Sequence, residues 1–74
     1  MKVYYRFDLS TEKTTYTSEL YEVESKNERA GLLKSLNDID LGKKPFLAFF
    51  DVDHNLIVVP EKDITEIIVR LEND

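Results

Sequence analysis

FLAFFDVDHNLIVV, residues 46–59, decides what kind of molecule this chain makes. Two apolar runs, 46–50 and 55–59, flank Asp51-Val52-Asp53-His54. The same letters suit a catalytic strand end, a metal loop or a β-hairpin. Short apolar runs bounded by turn residues read as strands buried on both faces, so both runs are expected at the centre of a sheet. Asp and Asn bond their own backbone and tolerate left-handed conformations, which makes Asp53, His54 and Asn55 suitable for the turn between them. His54 is then an exposed loop tip, with no Ser, Cys or second His placed to form a triad with it.

Working towards the N-terminus, the period changes twice. Val3, Tyr5, Phe7 and Leu9 alternate with Lys2, Tyr4, Arg6 and Asp8, the pattern of a strand with one dry and one wet face. Residues 14–23, TTYTSELYEV, are rich in Thr and Tyr and are expected to return as its hairpin partner. Tyr16 and Leu20 share one phase while Tyr21 and Val23 share the other, which requires a bulge near Leu20. Ser25 followed by Glu28 has the spacing of a capping box and starts a helix. Leu32, Leu33, Leu36 and Ile39 make its apolar stripe. Gly31, costly by roughly 1 kcal/mol against Ala in a helix, is expected to allow close approach to the sheet. Asn37-Asp38 and then Gly42-Lys43-Lys44-Pro45 end the helix and return the chain through a polar loop. Towards the C-terminus, Thr65, Ile67, Val69 and Leu71 fit a strand; Ile64, Ile67, Ile68 and Leu71 would fit a helix. The β-branched Ile-Ile-Val favours the strand.

These elements make one α+β domain over residues 1–74: an antiparallel sheet of about five strands, order β-β-α-β-β-β, with one helix packed on one face. One helix cannot roof five strands on both sides, so an apolar face is expected to stay uncovered and to take a partner. A homodimer is the simplest way to bury it. Tyr4, Tyr16, Tyr21, Leu47 and Phe49 are the expected contact residues, because aromatic side chains carry much of the energy at interfaces. Each could instead fill the core of its own monomer.

Composition narrows the function classes. A hydrophobic fraction of 42% and a charged fraction of 34% belong to a folding chain. With no cysteine and one histidine, disulfides, thiolate chemistry and a structural zinc site fall away, and no cofactor is expected. Met1 to Arg6 shows no apolar leader and no run reaches membrane-spanning length, so the expected location is cytoplasmic. Net charge is −5, distributed as −2 over residues 1–24, +2 over 25–45 and −5 over 46–74. Lys26, Arg29, Lys34, Lys43 and Lys44 are the only basic cluster, too thin to predict a nucleic-acid binder.

Two chemical readings of the opening stretch are weighed against the turn. Asp51, Asp53 and Asn55 occupy positions 1, 3 and 5 of a calcium loop, but Leu56 stands where Gly is needed and Lys62 where the bidentate Glu belongs. Adventitious weak binding of a hard cation is all that the oxygens predict. FLAFFDVDHNL also resembles the first motif of haloacid-dehalogenase-type phosphatases. That resemblance implies Asp51 as nucleophile and Asp53 as general acid/base. Asn55 stands two residues after the second Asp, where Thr is usual, so the family's Gly-Thr pair is missing, and 18 residues follow Leu56, too few for its later Lys and acidic motifs. More broadly, residues 46–70 resemble the C-terminal half of short, uncharacterised α+β proteins of bacteria and their phages, which implies an accessory role. The expectation is a non-enzymatic protein-interaction module. The alternative is an acidic nucleic-acid mimic that inhibits a host enzyme, with Asp51, Asp53, Glu61, Asp63, Glu66 and Glu72 supplying the charge.

Overall fold

The computed structural model describes residues 1–39 and 42–72. Its longest strand, β1 (Lys2–Ser10), follows from strict alternation: Val3, Tyr5, Phe7 and Leu9 are buried, and the intervening side chains face the other way. This strand is the centre of the main sheet. On one side it pairs antiparallel with β6 (Glu66–Leu71), Phe7 opposite Val69 and Leu9 opposite Ile67. The C-terminal segment is therefore a strand, as its β-branched residues predict. On the other side of β1 lie β2 (Thr15–Thr17) and β3 (Tyr21–Glu24), end to end.

Register explains why this arm is broken in two. Tyr5 faces Tyr21 and Asp8 faces Thr17, so three steps along β1 match four along its partner. One residue is extra, which is the bulge that the phase fault requires. Ser18 fills it. Its amide donates to the Phe7 carbonyl at 2.9 Å, and its Oγ accepts from the Phe7 amide at 2.9 Å, replacing a lost backbone acceptor.

Helix α1 (Glu28–Ile39) starts at Asn27, whose Oδ1 accepts the Ala30 amide at 2.8 Å. The capping box expected at Ser25 is not used: Ser25 is buried with its Oγ unpartnered. The leucine stripe is also corrected. The buried line is Gly31, Ser35 and Ile39, while Leu33 and Leu36 stay exposed. Small side chains let the helix axis approach the sheet until Gly31 lies against Val3, as its lack of a Cβ predicts. A helix about 10 Å across covers only one end of a strand about 30 Å long. Here it roofs the Val3 and Tyr5 end, where the Tyr5 hydroxyl donates to Asp38 Oδ2 at 3.1 Å.

The other end is roofed by a second antiparallel pair, β4 (Phe46–Phe50) and β5 (Leu56–Pro60), in register with Ala48 opposite Val58. A 3-10 turn, Glu61–Asp63, then leads into β6. Among the described residues the order is thus β-β-β-α-β-β-β, six strands in two sheets, rather than five in one. The runs read as central strands are neither central nor buried on both sides: each dries only one face, because the hairpin lies over the main sheet as a second layer. Leu47, Phe49 and Val59 meet Phe7, Leu9 and Ile39 in one cluster, with the Phe7 and Phe49 rings edge to face at 4.9 Å. The bulge ties the layers together, since the Glu19 amide donates to the Phe50 carbonyl at 2.9 Å and Ser18 bridges to Asp51.

Candidate interaction surface

Because side chains alternate along β4 and β5, burying Leu47, Phe49 and Val59 turns the other set outward. That set is Phe46, Ala48 and Phe50 on β4, with Leu56, Val58 and Pro60 directly opposite them. None is polar. Phe46, Phe50, Leu56 and Val58 are between 42% and 59% exposed, and Val52 at the turn adds to them at 50%. The molecule is 17 Å through its thinnest dimension, room for two layers about 10 Å apart and no third.

A hydrogen-bonded turn closes one end of this face. Asp51 Oδ1 accepts the amides of both Asp53 and Asn55 at 2.9 Å, and the Asp51 amide and carbonyl bond Asn55 and His54. His54 takes the left-handed conformation, φ 65°, at the exposed tip. The bond from the Asn55 amide, with that from Asp53, holds the Asp51 carboxyl below the usual carboxylate range. Oδ1 is thus committed to the turn, and the Asn55 side-chain amide lies 3.4 Å from Oδ2. At the opposite, open end, the Glu61 amide donates to the Pro45 carbonyl at 2.9 Å and Glu61 Oε2 accepts the Gly42 amide at 3.2 Å. Lys44 and Lys62 line the shallow groove there.

The outer face of the main sheet is built differently. Arg70 Nε donates to Asp8 Oδ2 at 2.9 Å, Arg70 also pairs with Glu72, and Arg6 Nε lies 3.6 Å from Glu72. Lys2 pairs with Glu22 at 3.3 Å. The Arg70 bond holds Asp8 below its ordinary range, aided by Thr17 Oγ1 at 2.8 Å.

Comparison of the chain with family models, with curated proteins and with solved structures returned no match. Among the described residues no helix is long and apolar enough to cross a membrane.

The five expected contact residues fall on different surfaces. Tyr4 lies half-buried on the charged face, opposite Glu22. Tyr16 packs half-buried against the core beside Leu9. Tyr21 stacks on Tyr5 and Phe7 at 5.4 and 6.0 Å, and burial pushes its phenol up. Leu47 and Phe49 are core residues, each 6% exposed, which corrects the side of the strand expected to be open. The exposed residues are their neighbours Phe46 and Phe50, together with Leu56 and Val58. Alternation divides the strand into these two sets, but both are apolar, and nothing in the letters says which one faces inward. The acids of the C-terminal third are also spread out. Asp51 and Asp53 sit at the hairpin turn, Glu61 and Asp63 at its open end, and Glu66 and Glu72 at opposite ends of β6.

Proposed function

We propose that this chain is a non-enzymatic protein-interaction module that docks a protein partner on the outer face of the β4–β5 hairpin. One observation carries the reading: six consecutive outward positions on a two-stranded hairpin are apolar, on a chain whose other outer sheet face is laced with Arg, Asp and Glu. A wetted antiparallel face ordinarily alternates to polar residues. Contiguous apolar surface with charged groups at its margins is the usual mark of a docking site, and two phenylalanines are the anchors such sites favour. The bonds that Asp51 Oδ1 accepts from the Asp53 and Asn55 amides fit a turn-forming role for this residue. The acidic-mimic reading has less support, since its carboxylates are divided between distant ends and Glu72 is paired with Arg70 and Arg6.

The test is capture of a partner from a lysate of the native host by immobilised protein, washed at low and high salt. Wild type and a Leu33→Ser/Leu36→Ser control should retain the same partner through the high-salt wash, and Phe50→Ser/Val58→Ser should lose it while keeping its circular dichroism spectrum. Retention by the hairpin variant, or release of the wild-type complex by salt alone, overturns the proposal.

A further inference from the structure

The same face carries a further reading, which rests on the one above: we propose that its occupant is a second copy of this chain, stacked hairpin on hairpin about a two-fold axis with the two strand pairs antiparallel. Three features point to this occupant. The first is area. Phe46, Phe50, Val52, Leu56 and Val58 are each between 42% and 59% exposed, five large apolar side chains on one small hairpin, the kind of contiguous patch that marks an interaction site. A stable interface removes about 800 Å² from each partner, with an apolar centre and a polar rim, so this patch supplies the centre and the flanking loops the rim.

The second feature is shape. A two-fold interface brings a patch against itself. The axis falls at the Ala48–Val58 pair in the middle of the register, and Phe50 with Leu56 of one protomer then covers Phe46 with Pro60 of the other. Sheets stack in this way at about 10 Å, within about 30° of parallel or antiparallel alignment, with side chains interdigitating.

The third is charge. The turn end carries Asp51 and Asp53, and no side chain bonds the Asp53 carboxylate among the described residues. The open end, five residue pairs away, carries Lys44 and Lys62, neither of which takes an ion pair among the described residues. Glu61 and Asp63 share that end, and Glu61 is already engaged with the Gly42 amide. The antiparallel arrangement places Asp53 of each protomer beside Lys44 and Lys62 of the other. A parallel stack would set like charges together. Complementary rims of this kind fix register more than they add affinity.

Sedimentation equilibrium over about 5 to 500 µM tests the arrangement, a range that reads dissociation constants near the micromolar scale. Wild type is expected to be a dimer in the upper half of the range. Phe50→Asp/Val58→Asp should be monomeric throughout. Asp53→Lys alone and Lys44→Glu/Lys62→Glu alone should each weaken association at least fivefold. All three exchanges combined should restore it to within about twofold of wild type, because the swapped charges again face opposite signs. Asp53, Lys44 and Lys62 are exposed, so the charge variants read the interface rather than the fold. A wild type that stays monomeric, a dimer that survives Phe50→Asp/Val58→Asp, or a combined variant no tighter than its parents overturns the proposal. Loss of the dimer with partner capture still abolished by Phe50→Ser/Val58→Ser would refute self-association alone and leave the docking face standing.

Discussion

Gly31 is dictated by its neighbour. A Cβ built there would lie 2.8 Å from Val3 Cβ, Cγ1 and Cγ2, so the helix would have to lift from the sheet. In an open helix Gly→Ala gains about 1 kcal/mol. Here overpacking costs about 1–3 kcal/mol and wins. Gly31→Ala is therefore expected to lower the urea midpoint, and because Val3→Ala removes two of the three contacting atoms, the double variant should cost less than the sum of the two singles. A rise in the midpoint on Gly31→Ala would show that the contact is not tight. Asp8 offers a second residue-level check. Its bond from Arg70 outweighs the opposing effect of burial and keeps its carboxyl below the ordinary 3.8. Since the folded value lies below the unfolded one, the pair's contribution is complete above about pH 4 and is lost as pH falls through the folded value. Carbon-detected titration of the Asp8 carboxyl should give a midpoint under 3.8 that Arg70→Gln moves upward. A midpoint indifferent to Arg70 would contradict the pairing.

Among the elements, the bulged arm between β2 and β3 controls how the second layer is hung. Ser18 is fully buried and is the acceptor for the Phe7 amide, so Ser18→Ala strands a buried N–H and should cost about 1–3 kcal/mol. Exchange of the Phe7 amide should quicken in step, and unchanged exchange would mean that another acceptor serves it. The bulge itself was legible, because Tyr16 and Leu20 disagree in phase with Tyr21 and Val23; its serine was not, since a polar letter in a strand has many uses. β1 and the C-terminal strand were legible for a similar reason: alternation and β-branching are local signals. Helix orientation was hidden because a leucine stripe and a Gly-x-x-x-Ser-x-x-x-Ile line compete on one helix, and the close approach at Val3 that decides between them is a tertiary fact. The position of the hairpin was hidden for the same kind of reason. FLAFF reads alike whether the second apolar side meets a neighbouring layer or is left for a partner, so the strand pair was legible while its layer and open face were not.

At the scale of the whole molecule, two roofing elements share one face of a central sheet, and their outer surfaces differ in kind. The side of the main sheet that faces away from them carries paired charges. The hairpin presents an apolar outer surface, with Asp51 and Asp53 at its turn and Lys44 and Lys62, alongside Glu61 and Asp63, at its open end. Helix α1 contributes only Leu33 and Leu36, a smaller patch and a built-in comparison. The central claim is that association takes place on the hairpin's outer face. Methyl NMR during a dilution series tests it most directly, because Leu56, Val58, Leu33 and Leu36 report separately from the same sample. The expected result is that the methyls of Leu56 and Val58 shift with concentration while those of Leu33, Leu36 and the buried Leu9 do not. Methyl shifts at Leu56 and Val58 that stay constant across the series, or movement confined to Leu33 and Leu36, would contradict it.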